Sequence, residues 1–180
     1  MTYYVRNLPH WHPPGTDIFI TWRLHGSLPK QFPPKKKLES SGKAFVYYDR
    51  ILDQARTGPL WLKDSRVAEC SLAALNTAQR RNLFTLRAYS IMANHVHVLL
   101  APLAPLGQIT QQIKGATARQ ANLILERTGA PFWQDESFDH WVRNPGEFQK
   151  IRAYIERNPV VAGLVARPED WPWSSASRPI

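Results

Sequence analysis

Three observations predict an α+β fold, with helices laid on one face of an antiparallel sheet. Apolar and polar residues alternate through residues 17–25, the pattern of a half-buried strand. Two apolar runs, 84–92 and 95–101, are joined tightly at Ala93-Asn94, and Asn tolerates turn geometry, which predicts a hairpin. Segments with helical spacing lie between and around these strands, and no internal repeat is visible.

In chain order, Ile18, Ile20, Trp22 and Leu24 supply the apolar face of the first strand. The stretch SLPKQFPPKKKLESSGK follows, and its Pro, Ser and Gly predict an exposed loop. Phe45, Tyr48, Ile51, Leu52 and Ala55 give residues 44–56 helical spacing, stopped by Gly58-Pro59. Residues 64–79 form a second helix, capped by Asp64 or Ser65, with Val67, Cys70, Leu72, Ala74 and Leu75 as inward candidates. The hairpin strands come next. A long helix then covers 106–127, with Ile109, Ile113, Ala116, Leu123 and Ile124 near one stripe and Gly115 as a weak point. Gly129-Ala130-Pro131 ends it, and the aromatic-rich segment 132–142 reads as a strand. The last helix covers 145–157, with Pro159 forcing an exit soon after Asn158. The turn-rich tail PEDWPWSSASRPI is expected to pack its tryptophans back onto the body. We expect a single domain, 1–180, with an N-terminal arm at 1–16 and a C-terminal tail at 166–180.

At 180 residues, with 43% hydrophobic and 21% charged residues, the composition is globular. The formal net charge of +9 makes a polyanion a plausible partner. That charge is uneven: residues 1–90 hold 14 Lys and Arg against 6 Asp and Glu, whereas residues 91–180 hold 9 against 8. Its densest point is Lys35-Lys36-Lys37, either a phosphate-contacting loop or a solvated one. Seven Trp, seven Phe and six Tyr provide core, with some surface left for stacking on unpaired bases. The single cysteine, Cys70, excludes an intrachain disulfide framework and a multi-Cys zinc site. The longest apolar run, 98–106, is broken by Pro102 and Pro105 and is too short to span a bilayer. The N-terminus lacks the apolar stretch of a signal peptide, so the cytoplasm is the expected compartment.

The sharpest chemical feature is Asn94-His95-Val96-His97. On a strand, residues two apart share a face, so His95 and His97 present two imidazoles side by side, a natural chelate for a divalent ion. Alone, such a pair is more often two unrelated histidines on a partly exposed strand. Tyr154 and Asn158 are four apart and share a helix face. Alone, a tyrosine on a helix is usually a core residue. Together the four outline a metal site with two His and one Asn, a tyrosine beside it, and open positions for substrate oxygens and water.

The segment IMANHVHVLL resembles the histidine–hydrophobic–histidine (HUH) motif of single-tyrosine transposases. YIERNPVVAGLV followed by WPWSS is similar to the C-terminal signature of the REP-associated tyrosine transposases. LPHWHPPGTDIFITWRLHGSLP and FWQDESFDHWVR also resemble that group, so the likeness covers nearly the whole chain. One departure is Met92-Ala93-Asn94, where many relatives read Met-Pro-Asn; it alters a turn and no ligand.

The resemblance implies a ferredoxin-like antiparallel sheet with the His pair on a central strand. It implies Mg²⁺ or Mn²⁺ held by His95 and His97, with Asn158 as a third ligand and Tyr154 as nucleophile. The activity implied is transposition: nicking and strand transfer of single-stranded DNA at hairpins or palindromes, through a 5′-phosphotyrosine link. The setting is the bacterial cytoplasm, at the nucleoid, with the protein a monomer or homodimer.

Candidate DNA contacts are Lys35, Lys36, Lys37, Lys114, Arg119, Arg143, Lys150, Arg152 and Arg157. Glu136 and Asp139 are weighed as a further ligand or base against plain surface carboxylates, and His140 as structural. His10, His12 and His25 are candidates for recognising a hairpin foot. Trp133, Trp141, Trp171 and Trp173 are read as packing residues, one of them a possible stacking platform. The competing function is a domesticated, non-catalytic DNA-binding protein of the same fold. A histidine-triad hydrolase is excluded because Leu99 stands where its third histidine belongs. A cupin-like oxidase is disfavoured by the helical Tyr-x-x-x-Asn.

Overall fold

The structure, a computed structural model, describes residues 4–5, 9–10, 13–29 and 41–180. Lys35, Lys36, Lys37 and His12 lie outside the described residues, as does half of the expected N-terminal arm. Two short strands, β1 (Tyr4–Val5) and β2 (Pro9–His10), pair with each other. The main sheet contains β3 (Ile18–Leu24), β4 (Phe84–Ile91), β5 (His95–Pro102) and β6 (Trp133–Trp141). Its order is β4-β5-β3-β6, antiparallel throughout, which places β5 in the interior of the sheet. The helices are α1 (Ser41–Gln54), α2 (Ser65–Arg80), α3 (Leu106–Ile124) and α4 (Pro145–Val161). No described helix is long and apolar enough to cross a membrane.

The helices cover both faces of the sheet, not one as the sequence predicts. Ile18, Ile20, Trp22 and Leu24 of β3 join Val96, Val98 and Leu100 of β5 in a core with Leu72 and Leu75 of α2 and Ile109 and Ile113 of α3. The alternate residues Phe19 and Leu99 form a second core with Ile155 of α4, flanked by Phe45 of α1 and by Phe148, Ile151 and Tyr154 of α4. Periodicity marks which side of a helix turns inward, but carries no information on which sheet face that side meets. A register shift between Leu86 and Ala88 turns β4 over, so that Leu86 belongs to the first core and Ala88 to the second.

Most element ends match the patterning. Asp64 caps α2, its carboxylate accepting from Arg66 N–H, and Asn144 caps α4 by accepting from Glu147 N–H. Three details differ. Helix α4 runs through Pro159 to Val161, because a proline so near the end forfeits one hydrogen bond in the final turn. On α3, Ala116 and Leu123 face solvent, and the inward stripe is Ile109, Ile113, Thr117 and Ala121. On α2, Cys70 and Ala74 are only partly buried. Past α1, Gly58 has φ +76, and a Cβ there would collide with the Gly26 carbonyl, so a glycine lets the chain pass the turn after β3.

The tail returns as expected and pairs along the edge of β4. Ile91 N–H donates to Trp173 O at 2.9 Å, and Ser175 N–H donates to Tyr89 O at 3.0 Å. Ser175 Oγ also donates to Glu156 of α4 at 3.1 Å, fastening that helix to the strand it covers.

Leu100 is 1% exposed within the first core. Leu100→Ala is expected to lower the unfolding free energy by about 2–5 kcal/mol. The pairing of β5 with β3 and β4 should survive, since the backbone ladder does not depend on that side chain. Denaturant melts check the loss, and a change below about 1 kcal/mol would place Leu100 outside the core.

Candidate active site

On β5, the residues that alternate with the first core are His95, His97 and Leu99, and both imidazoles are 0% exposed. They are therefore central and buried, where the sequence left open a partly exposed pair. Their Nε2 atoms approach to 3.0 Å. Burial pushes His95 down to about 3 and His97 well below the usual histidine range, where the charge of His95 adds to the effect. Both rings are thus neutral at physiological pH, each with a nitrogen lone pair to offer.

The neighbouring polar groups orient the rings. Asn94 Nδ2 donates to Leu52 O at 3.0 Å, which leaves Asn94 Oδ1 as an acceptor, 2.7 Å from His95 Nδ1. His95 Nδ1 therefore carries the proton and Nε2 the lone pair. Thr21 lies opposite His97 on β3, its hydroxyl 2.7 Å from His97 Nδ1. A hydroxyl donates or accepts, so Thr21 serves either tautomer of His97. Phe19 stacks on His97 at 5.7 Å between centroids, with Phe45 at 6.3 Å and Tyr154 at 5.7 Å edge-on.

Helix α1 contributes what the sequence reading missed. Asp49 is 3% exposed, with Oδ1 3.4 Å from His97 Nε2 and 3.7 Å from His95 Nε2. One turn on, Asp53 Oδ1 lies 3.7 Å from His95 Nε2. From α4, the Tyr154 hydroxyl donates to Asp49 Oδ2, and Asn158 Nδ2 donates to the same oxygen at 3.4 Å. The expected four residues thus come together around a fifth, Asp49. A sequence signal existed: Asp49 sits four residues after Phe45 and three before Leu52, on the inward stripe of its helix, where a bare carboxylate is out of place.

The donor set fits a divalent ion. Asp49 Oδ1, Asp53 Oδ1 and Asn158 Oδ1 are buried with no hydrogen-bond partner, an expensive condition, and the two carboxylate oxygens among them lie beside imidazole nitrogen. Asp49, His95 and His97 bring one ligand atom each within 4.8 Å of one another. Two neutral imidazoles and carboxylate oxygen match the borderline-to-hard preferences of Mn²⁺ and Mg²⁺.

Burial, with Asp53 adding to it, raises Asp49 to about 8, although the Asn158 hydrogen bond opposes the shift. Burial raises Asp53 to about 7. Unfolded aspartate titrates near about 3.9. The folded chain therefore holds protons that the unfolded chain has lost, and this contribution to stability disappears as pH rises through 7 and 8. The histidines have the opposite sign. Their contribution is complete above about pH 6.5 and is lost as pH falls toward their depressed values. Of these four groups, only the aspartates act between about pH 6.5 and 8, so in EDTA the melting temperature should fall across that window. Saturating Mn²⁺ should raise it most at the alkaline end. A rising melting temperature in EDTA across the window would contradict the buried carboxyl groups.

The other candidates are spread more widely. Arg143, Lys150, Arg152 and Arg157 are exposed in the same layer as Tyr154. Arg152 pairs with Glu156 at 3.2 Å, and Arg143 N–H donates to Glu147. Lys114 and Arg119 belong to α3, across the sheet from the histidines, and Lys114 Nζ donates to the Gln134 and Asp135 carbonyls of β6. Asp139 pairs with Ile20 and so shares the first core's face. Neither it nor Glu136 joins the cluster of ligand atoms. His140 bridges β6 to α4 through Glu147 at 3.0 Å. His25 is exposed beside the turn after β3. Trp133 is buried and donates to Thr117, Trp171 donates to Ile91 O, and Trp173 packs on the first core. Trp141 lies beside Arg143, its ring 5.8 Å from that guanidinium.

Residues 59–158 match the family model described as Transposase IS200 like, and the chain belongs to that family. No curated protein matches the sequence. In fold the chain is similar to the solved structure of a REP-associated tyrosine transposase bound to a REP hairpin. That match has 19% identity and a TM-score of 0.59, covering 99% of this chain and 84% of the other. The chain also matches a crystal structure from Deinococcus radiodurans R1, assigned to a transposase, at 16% identity and a TM-score of 0.46, covering 85% of this chain and 98% of that one. The four-stranded antiparallel sheet with helices packed on it is the fold of the REP-associated transposase.

Proposed function

We propose that the chain is a metal-dependent, single-tyrosine DNA endonuclease and strand transferase acting on single-stranded DNA beside a hairpin. The observation that carries this reading is the position of Tyr154, its ring 5.7 Å from that of His97 and its hydroxyl bonded to Asp49. In this reading His95 and His97, with oxygen from Asp49 or Asn158, hold a divalent ion. When bound, the ion polarises a non-bridging oxygen of the scissile phosphate and offsets the charge that develops there.

The chain's own residues do the rest. The Tyr154 oxygen attacks phosphorus, forming a 5′-phosphotyrosine bond as the phosphorus–3′-oxygen bond breaks. The 3′-oxygen leaves as a hydroxyl, and the phenol loses its proton. The ester keeps the energy of the phosphodiester, so a second 3′-hydroxyl can displace Tyr154 and reseal the strand without ATP. Phe19, Phe45 and the sheet exclude water from one side of the ester. Hydrogen bonds to Asn94 and Thr21 hold the imidazoles in place.

The REP-associated transposase is bound to a REP hairpin. For this chain we infer a hairpin or palindrome of the same general kind, with the whole of 1–180 working as one domain in the cytoplasm. Arg143, Lys150, Arg152 and Arg157 ring the nucleophile's helix and are assigned to the DNA backbone. The Arg152–Glu156 pair is a surface pair and little hindrance to that role, since such pairs contribute about 0–1 kcal/mol. With Mn²⁺ and a single-stranded hairpin oligonucleotide, the chain is expected to yield an SDS-resistant protein–DNA adduct and a strand ending in 3′-hydroxyl. Cleavage without an adduct would point to hydrolysis and overturn the proposal.

A further inference from the structure

The geometry points to a coupling residue: we propose that Asp49 joins the ion site to the nucleophile, one carboxylate oxygen facing the ion and the other holding the Tyr154 phenol. This rests on the functional reading above and adds a role for α1, which none of the matched motifs contains.

The two oxygens of Asp49 have separate surroundings. Oδ1 has no hydrogen-bond partner and lies 3.4 Å and 3.7 Å from the two imidazole Nε2 atoms. Oδ2 receives both polar groups of α4, the Tyr154 hydroxyl and Asn158 Nδ2. The four-residue spacing of Tyr154 and Asn158 therefore has a second meaning. Beyond placing a nucleophile and a carboxamide on one helix face, it lets α4 grip a single carboxylate from two successive turns.

That carboxylate cannot turn freely. It is 3% exposed, and Phe45, one turn before it on α1, packs against Phe19, Phe138, His97 and Tyr154. At its far end α1 is tied to the His strand by the bond from Asn94 Nδ2 to Leu52 O, and Asn94 also orients His95. Together these contacts fix α1 relative to β5, through Asn94 and His97, and to α4, through Tyr154. An ion drawn to Oδ1 thus acts on a group whose other oxygen sets the direction of the phenol. Conversely, the phenol's hydrogen bond stabilises charge on a carboxylate that faces the ion. By linkage, each raises the affinity of the site for the other.

The test uses Mn²⁺ alone and no DNA. Mn²⁺ affinity is measured by electron paramagnetic resonance for the wild-type chain, Tyr154→Phe, Asp49→Asn and the double variant. Asp49→Asn should weaken binding by about tenfold or more, and Tyr154→Phe by about five- to tenfold. In the Asp49→Asn background, Tyr154→Phe should change affinity less than about twofold. If the two losses multiply, the ion and the phenol are independent and the proposal is overturned.

Asp49→Glu keeps the charge but moves the oxygens, and serves if Asp49→Asn does not fold. It should retain Mn²⁺ binding while shrinking the Tyr154→Phe penalty to under about twofold, and an undiminished penalty overturns the coupling. A wild-type chain that shows the coupling but forms no DNA adduct would sink the strand-transfer reading and leave this one standing.

Discussion

Tyr154→Phe is expected to abolish the protein–DNA adduct, lowering strand cleavage by at least about a thousandfold. The substitution removes one oxygen and leaves the ring in its contacts with Phe19, Phe45 and His97. The folded state should therefore lose only about 1 kcal/mol, the net worth of a typical hydrogen bond. Retention of hairpin DNA should be nearly unchanged, because affinity is dominated by phosphate neutralisation, to which a phenol adds nothing. The combination is diagnostic: a general loss of structure would lower retention and cleavage together. A gel assay with end-labelled hairpin DNA, run beside filter binding, separates the two. Adduct yield equal to that of the wild-type chain would remove Tyr154 from the chemistry.

The second large effect belongs to the histidines. His95→Ala and His97→Ala should each reduce Mn²⁺ affinity by more than about a hundredfold. Lesser changes, in groups that only orient a ligand, already cost about 10- to 100-fold. Cleavage should fall in parallel, while hairpin affinity without added metal survives. Both rings are fully buried, so each truncation also leaves a cavity and destabilises the fold, by about 2–5 kcal/mol on the scale of other large-to-small core changes. A fold control is therefore needed. His97→Gln keeps much of the volume and a polar group near Thr21, and should fold while still binding Mn²⁺ poorly. Titration by electron paramagnetic resonance with circular dichroism as control gives the result. Wild-type Mn²⁺ affinity in either alanine variant would end the ligand assignment.

How far the site was legible follows from the range of the signals. His95 and His97 are two apart on one strand, so strand periodicity alone put them on one face. Tyr154 and Asn158 are four apart on one helix, and helical periodicity did the same for them. Asp49 lies 46 residues before His95, on a helix of its own, and no local period links the two. Its trace was the misfit of an acid on the stripe of Phe45 and Leu52, and that misfit is visible only when polar exceptions on an apolar face are treated as data. The layering was illegible for a similar reason. The face met by α1 and α4 depends on strand order and on the register shift at Leu86/Ala88, and both are tertiary facts. Pro159 misled because its cost depends on its distance from the helix end, which capping sets. For Lys114, composition shows a cation but not that the Gln134 and Asp135 carbonyls receive it.

The most direct test is to map the covalent bond. The chain is incubated with Mn²⁺ and a short hairpin oligonucleotide, the adduct is digested with nuclease and trypsin, and the modified peptide is sequenced by mass spectrometry. A nucleotide esterified to the Tyr154 oxygen is the result this account predicts. A nucleotide on another side chain, Tyr47 or Tyr48 of α1 included, or a cut strand with no modified peptide, would contradict it.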